Sequence, residues 1–153
     1  MEPKGHPYDL VAVGGTFDIL HDGHKALLRK AFSIGRNVAI GLATDRFAGS
    51  MKKPHDVASY VVRVEALQRF LSENGVSERA RIVPLEDAYG DAASDPCISA
   101  LVVSEETLGN AIKINEIRRS KRIRPLDIFC ISLVNAKDDQ PISTTRIRAG
   151  EIT

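Results

Sequence analysis

Runs of apolar residues alternate along the chain with stretches in which apolar residues recur every three or four positions. The apolar runs are continuous, as expected for parallel strands that are covered on both faces. They predict five strands, at residues 9–15, 37–44, 81–87, 98–104 and 126–133. The periodic stretches predict helices at residues 22–34, 57–74 and 105–119, and a short terminal helix that starts near Ser143.

This alternation of strands and helices, with short connections, predicts a single α/β domain over residues 1–153. We expect a Rossmann-like, doubly wound parallel sheet of five strands with helices on both faces. The polar stretch "DRFAGSMKKPHD", which follows the second strand, is expected to be a loop. Ligands of such sheets bind at the carboxyl ends of the strands, so residues at those ends are the candidates for function.

Positive and negative charges nearly cancel, with 21 Lys and Arg against 20 Asp and Glu and a formal net charge of +1. This balance leaves no broad electrostatic footprint for nucleic acid or a membrane surface, so any anion site must be local. The amino-terminal segment has no apolar leader and no run is long enough to span a membrane, so we expect a cytoplasmic protein. The isolated cysteines, Cys97 and Cys130, are expected to be reduced thiols buried in the core.

The segment "GGTFDILHDGH" joins the first strand to the first helix. It holds three glycines, a threonine and two histidines: Gly14, Gly15, Thr16, His21, Gly23 and His24. The glycines allow a ligand to approach the backbone closely, and the threonine adds a hydroxyl donor. The histidines are three residues apart and share a face if that segment is helical. Together with the free amides of the helix start, these groups predict an anion pocket in which both imidazoles donate to phosphate oxygens.

Two other interpretations of this turn remain open. Asp18 and the two histidines could supply three ligands of a zinc site, but no further cluster of histidines or cysteines follows in the sequence. Both histidines could also be ordinary surface or capping residues. Apart from the zinc interpretation, Asp18 is expected to hold the loop through backbone hydrogen bonds.

Two motifs resemble those of a known superfamily. "GTFDILHDGH" resembles the HxGH signature of the nucleotidyltransferases, and "ISTTRIR", about 120 residues later, resembles their carboxyl-terminal ISSTxxR motif. The segments "AFSIGRNVAIGLATD" and "VSEETLGNAIKINEIRRSKRIRPLDI" are similar to the archaeal-type phosphopantetheine adenylyltransferases and to the corresponding domain of eukaryotic CoA synthase. Two departures stand out: His21 occupies a position that is Thr in the bacterial enzymes, and Thr144 replaces a commoner Ser but keeps the hydroxyl.

The resemblance implies that ATP reacts with 4′-phosphopantetheine to give dephospho-CoA and pyrophosphate. It also implies that His21 and His24 bind triphosphate oxygens, with His24 on the α-phosphate, and that Thr16 orients the acceptor phosphate. A phosphate monoester is a good nucleophile near neutral pH, so catalysis can rest on positioning and electrostatic stabilisation. Mg²⁺ is expected to arrive with ATP, held mainly by phosphates and water.

The second motif adds a possible site for the β- or γ-phosphate. Ser143, Thr144 and Thr145 crowd the start of the predicted terminal helix, where hydroxyl groups cap well. Arg146 and Arg148 lie in its first turn, where their charge opposes the helix dipole, and a bound phosphate would resolve that mismatch. The alternative is a solvated helix whose arginines pair with nearby acidic side chains.

Other candidates follow the second and fourth strands. Lys52 and Lys53 lie in the loop after the second strand, where the sequence alone favours solvated side chains. The superfamily commonly brings a basic residue from this loop onto the phosphates, so the resemblance makes both of them candidates. Arg118 and Arg119 could contact phosphate or lie on a solvated face. Asp45 ends the second strand, where it could face the acceptor or cap the next turn.

The motifs leave room for other functions of the same superfamily. One is a cytidylyltransferase of the glycerol-3-phosphate type, although such proteins approach the second motif as "RTEGIST" whereas this chain has "DDQPIST". Another is an adenylyltransferase for FMN or nicotinamide mononucleotide, and a third is a non-catalytic nucleotide-binding module. We expect ATP and 4′-phosphopantetheine as small-molecule partners, no nucleic-acid or membrane partner, and a monomer.

Overall fold

The computed structural model describes residues 6–18, 22–50 and 57–132, and the backbone of residues 144–147. Within these residues the sheet contains five parallel strands, in the order β3-β2-β1-β4-β5. They are β1 (Tyr8–Gly15), β2 (Gly35–Ala43), β3 (Ala80–Leu85), β4 (Ala100–Ser104) and β5 (Asp127–Ile131). The doubly wound parallel sheet that the sequence predicts is therefore confirmed.

A sixth strand, β6 (Thr144–Ile147), pairs antiparallel with β5 and extends the sheet. The prediction of a terminal helix from Ser143 is wrong over these residues. Thr144, Thr145 and Ile147 are β-branched, which favours extended backbone, and the open edge of β5 supplies hydrogen-bond partners. Pairing with that edge decides the conformation of a segment too short to form a stable helix alone.

In the part of the chain that the structure describes, the α-helices are α1 (Asp22–Ile34), α2 (Asp45–Ser50), α3 (Tyr60–Glu73) and α4 (Leu108–Ser120). The first has the limits that the sequence predicts. The second lies in the stretch predicted to be a loop, which corrects that prediction for residues 45–50. The hydroxyl of Thr44 accepts the amide of Phe47 at 3.1 Å and caps the start of α2, and Ala48 is buried beneath it. In the described residues, no helix is long and apolar enough to cross a membrane.

Helices pack on both faces of the sheet, as predicted. On one face, α1 and α3 bury large residues such as Leu28 and Leu67 against the strands. On the other face, Ala111 and Ile114 of α4 pack against β4 and β5. Burial of this apolar surface is the main source of stability for such a fold.

The two cysteines differ in their surroundings. Cys130 is free and buried in the core under α4, as predicted. Cys97 is also free but exposed, so the prediction of a buried thiol is wrong there. Asp95 accepts the amide of Cys97 at 2.8 Å, and this turn keeps residue 97 at the surface before β4 begins.

Candidate functional site

A cavity of about 390 Å³ opens at the carboxyl ends of the parallel strands, on the face that α4 covers. Its floor consists of small residues in register on β1 and β2: Ala12 pairs with Ala39, and Gly14 pairs with Gly41. The opposite face of the same strands carries large residues that fill the first core, among them Val11, Val13, Val38, Ile40 and Leu42. This alternation of large and small residues leaves open space above the sheet on the side that α4 covers.

The alternation is visible in the segments "LVAVGG" and "VAIGLA". Both segments are predicted above as continuous apolar strands, so this alternation is not among the predictions from the sequence. Side chains point to opposite faces at every second position of a strand, and small residues at those positions mark a place that other atoms can occupy.

Four of the predicted residues meet at this cavity: Gly14, Gly15, Thr16 and His24 line it together. Gly23 is buried in the first turn of α1. The cavity therefore includes the strand end, the hydroxyl-bearing turn and the start of the helix that the anion-pocket hypothesis requires. Those backbone amides and side-chain donors suit a negatively charged group.

Phe17 packs in the core directly under the histidine turn. Its side chain is 1% exposed in the core, and its ring centroid lies 5.2 Å from that of His24. A Cβ atom at Gly15 would stand 3.4 Å from Cε2 of the same ring. Phe17 has a φ of +48°, a left-handed conformation that is strained for a bulky residue. Strain of this kind persists only where the surrounding structure holds it.

Asp18 holds the same turn, as the sequence predicts. Its Oδ1 accepts the amide of Ala58 at 2.8 Å, which ties the turn to the chain just before α3. The zinc interpretation finds no support in the part of the chain that the structure describes, where no group of three or more His, Cys, Asp or Glu residues could hold a metal ion. His21, its third proposed ligand, lies outside the described residues.

The wall opposite the turn contains polar residues that sequence analysis did not single out: Tyr89, Asp91, Ser104, Glu106, Thr107 and Asn110. They come from the loop after β3, from the end of β4, from the segment that leads into α4 and from the first turn of α4. No local motif marks them, because only the packing of these segments across the sheet brings them together.

Asp87 shapes this wall. Its Oδ1 accepts the amides of Tyr89 and Gly90, each at 2.8 Å, and these hydrogen bonds hold the pKa of the carboxyl below its usual value. Gly90 has a φ of +53°, and a Cβ atom there would stand only 2.5 Å from Cδ1 of Leu85. Glycine is therefore favoured at this position by its conformation, and a Cβ atom would also require the side chain of Leu85 to shift.

The prediction that Arg118 contacts the nucleotide is wrong. Its side chain is 1% exposed, and its guanidinium donates to the carbonyls of Ala92, Asp95, Ile98 and Arg124 at 2.7–3.1 Å. Loss of water around this group lowers its pKa, although the charge of Asp95 opposes that effect. Arg118 is a buried residue that stabilises the backbone behind the cavity wall. Arg119 is exposed on the same helix.

Asp45 does not cap the turn that follows it, a role that Thr44 takes, but binds the start of a distant helix. Its Oδ1 accepts the amide of Tyr60 at 2.8 Å and pairs with Nη2 of Arg63 at 3.1 Å. The carboxylate thus stabilises the start of α3, and Asp45 is not among the residues that line the cavity.

The remaining candidates lie outside the described residues: Lys52, Lys53, Ser143 and Arg148. Of the second motif, the backbone of Thr144 and Thr145 is described, and it pairs with Ile131 and Cys130 at the carboxyl end of β5. Since β5 runs parallel to β1, the second motif enters the sheet at the edge where the histidine turn lies.

Comparison with known proteins agrees with this geometry. A family model described as cytidylyltransferase-like matches residues 12–150, which include both motifs. The chain belongs to this family. Within it, the chain is 45% identical over 145 residues to a phosphopantetheine adenylyltransferase of Methanothermobacter thermautotrophicus, covering 95% of this chain and 86% of the relative.

Other relatives have the same name. The chain is 46% identical over 142 residues to the phosphopantetheine adenylyltransferase of Methanopyrus kandleri, covering 93% of this chain and 89% of the relative. A crystal structure of a protein of unknown function from Archaeoglobus fulgidus superposes with a TM-score of 0.73 at 34% identity, covering 94% of this chain and 98% of that one. The fold and the family are thus shown over nearly the whole length, and the protein is a nucleotidyltransferase.

Proposed function

We propose that this nucleotidyltransferase transfers the adenylyl group of ATP to 4′-phosphopantetheine, giving dephospho-CoA and pyrophosphate, a step of coenzyme A biosynthesis. The observation that carries the proposal is the likeness, at 45% and 46% identity over more than nine-tenths of the chain, to proteins named for that activity. The histidine turn beside the cavity supports it, because adenylyl transfer needs an anion pocket next to a site for the acceptor.

The chemistry of the turn suits this reaction. The acceptor phosphate oxygen attacks the α-phosphorus of ATP, the new P–O bond forms, and the bond to the β-phosphate oxygen breaks as pyrophosphate leaves with the electron pair. Negative charge grows on the oxygens around the α-phosphorus, and fixed donors stabilise it. We assign His24 and His21 to those oxygens and Thr16 to the acceptor phosphate. The nucleotide lies against the backbone of Gly14 and Gly15.

The cavity suits the rest of the acceptor. Pantetheine is a flexible chain with two amides and a terminal thiol, and it needs an apolar channel with a few polar groups. The lining residues beyond the turn meet that need, since Val83, Leu101 and Ile114 are apolar while Thr107 and Asn110 offer polar side chains. A largely preformed apolar pocket with a few polar groups is the usual form of a small-molecule site.

Mg²⁺ belongs to the proposal as the ion that ATP carries. It needs no protein cage, because it keeps several waters and binds the phosphates directly. Basic side chains from Lys52, Lys53 and Arg148 are proposed to complete the triphosphate site. We also propose that the protein acts in the cytoplasm as a monomer and takes no nucleic-acid partner.

The decisive experiment measures pyrophosphate release in the presence of Mg²⁺. ATP and CTP are each tested against 4′-phosphopantetheine, glycerol 3-phosphate, nicotinamide mononucleotide and FMN. Release with ATP and 4′-phosphopantetheine alone is the expected result. Release with a different pair would overturn the substrate assignment, and no release from folded protein that binds ATP would favour a non-catalytic binding module.

A further inference from the structure

Arg63, on α3, lies directly behind the histidine turn. Its side chain is 0% exposed, although the residue carries a charge. The guanidinium donates to the carbonyl of Thr16 at 3.0 Å and to that of Ala43 at 2.6 Å. It also donates to the carbonyl of Ala58 at 2.8 Å and pairs with Asp45 at 3.1 Å. One buried side chain thus joins the carboxyl ends of β1 and β2 to the start of α3.

The turn is held on both sides of its strained residue. Before Phe17, the carbonyl of Thr16 is bound by Arg63. After Phe17, the carboxylate of Asp18 accepts the amide of Ala58. Ala58 itself offers its carbonyl to Arg63, so both bonds meet at one residue. This closed set of hydrogen bonds, which we call the Arg63 clamp, surrounds the left-handed conformation of Phe17.

Two other arginines bind backbone carbonyls in the same way. Arg118 binds four carbonyls behind the opposite wall, among them those of the cavity-lining residues Ala92 and Ile98. Arg79 binds the carbonyls of Phe32, Gly35 and Arg36 at 2.7–2.9 Å, where α1 ends and β2 begins. None of the residues that Arg79 holds lines the cavity, whereas Thr16, held by Arg63, does. The arginines share a chemistry and differ in what they position.

We propose that Arg63, together with Asp18, is a positioning residue for adenylyl transfer, because the Arg63 clamp holds Thr16 and the ring of Phe17 in the arrangement that places Thr16 and His24 at the cavity. The inference rests on the proposed function. A guanidinium is suited to this role since its five donors, fixed in a plane, can bind several carbonyls at once. Lysine has a single compact ammonium group and cannot reproduce that geometry.

Arg63→Lys is the first variant to measure, because it keeps the positive charge but loses the planar set of donors. A small displacement of catalytic groups lowers the rate of the chemical step more than ground-state binding, so kcat should fall by about ten- to a hundredfold while the KM for ATP changes by less than about threefold. Arg79→Lys is the matched control, and its kcat should stay within about twofold of the wild type. Thermal unfolding of each variant fixes an assay temperature at which all of the protein is folded.

Asp18 supplies a second test that does not depend on the folding of the Arg63 variant. Asp18→Ala should lower kcat in the same way, whereas Asp18→Asn keeps an acceptor for the amide of Ala58 and should restore most of it. Combining Arg63→Lys with Asp18→Ala should cost less than the product of the single effects, since both act on one turn.

The outcomes separate this proposal from the proposed function. Kinetics are measured with whichever nucleotide and acceptor the wild-type protein turns over, so inactivity with 4′-phosphopantetheine would count against the substrate assignment alone. A folded Arg63→Lys variant that loses no more activity than Arg79→Lys would overturn the role of the clamp. Full activity of Asp18→Ala would overturn it equally if Arg63→Lys does not fold.

Discussion

At the scale of single residues, the site depends on missing side chains as much as on those present. Gly14 faces Gly41 across β1 and β2, and together they leave the cavity floor open. His24 lies at its rim, in contact with Phe17. These positions lend themselves to substitutions that change the site and leave the fold in place.

Gly14→Ala should raise the KM for ATP by about tenfold without loss of stability, because a methyl group there costs affinity by steric conflict with a ligand rather than with the protein. The added Cβ would stand 3.4 Å from the carbonyl oxygen of Gly41 and 3.5 Å from Leu85, which is ordinary contact. Gly49→Ala, in open space on α2, is the control. Steady-state kinetics with thermal melts check the prediction, and an unchanged KM would remove Gly14 from the nucleotide site.

His24→Ala should lower kcat by about a hundredfold or more, the scale of losing one donor to the transition state. His6→Ala is the control, because His6 is exposed near the amino end of β1, where its ring contacts Arg79. Turnover is measured at saturating ATP and acceptor on folded protein. A kcat within about threefold of the wild type would contradict the role assigned to His24.

At the scale of elements, helix ends and turns show where local preferences were overridden. The end of α4 is an example: Ile123 donates its amide to the carbonyl of Arg118 at 2.8 Å, and Arg122 takes a left-handed φ of +61°. Glycine is the usual residue at that position. The loop after β3 has the residues that such a turn usually has. Gly90 lies where φ is positive, and Asp87 binds the amides of the loop.

Arg122→Gly should stabilise the protein by about 0.5–1 kcal/mol, because glycine adopts positive φ without steric cost. For a domain of this size the melting temperature should rise by about 1–4 °C. Arg122→Ala removes the same charge but keeps a Cβ atom, so it should bring no such gain. Equal stabilisation by both variants would mean that charge, and not backbone strain, is responsible.

Asp87 should make the free energy of unfolding depend on pH in the acidic range. Its pKa is lowered in the folded protein from the ordinary value of 3.8. The stabilisation is therefore present above pH 3.8 and is lost as the pH falls through the lowered pKa. Asp87→Asn keeps an oxygen acceptor but cannot be protonated, so its free energy of unfolding should fall less steeply below pH 3.8. Parallel slopes for the two proteins in urea titrations would refute this.

At the scale of the whole molecule, the sheet separates two cores of different kinds. The core under α1 and α3 is filled by large side chains, whereas the core under α4 adjoins the cavity. The turn from β1 to α1 connects them, since Phe17 is buried in the first core and His24 lines the cavity. The proposed ligand site is thus on the face of the sheet that α4 covers.

The two thiols report this architecture directly. In the native protein one thiol per chain, that of Cys97, should react with a disulfide reagent at mildly alkaline pH, while unfolding should expose both. Burial raises the pKa of the Cys130 thiol, so less of the reactive thiolate forms there. Cys97→Ser should abolish the native reaction. Two reactive thiols in native protein would show that the core under α4 opens readily.

Local pattern proved enough for most of the elements. The five parallel strands, α1 and the position of the histidine turn follow from hydrophobic spacing, which is a property of neighbouring residues. The motifs also pointed to the family before any contact was known. The floor of the cavity was equally present in the sequence, as small residues at every second position, but only the packed strands showed that these residues meet.

Tertiary structure alone decided the partners of the charged side chains and the conformation of short segments. Arg118 and Asp45 looked like ligand-binding groups beside motifs, yet Arg118 binds carbonyls up to 26 positions away and Asp45 binds residues 15 and 18 positions away. Likewise, Thr144–Ile147 forms a strand because the edge of β5 is next to it. Sequence determines which elements can form, since that depends on near neighbours. The fold determines which distant polar groups they meet, since burial makes every unpaired donor costly.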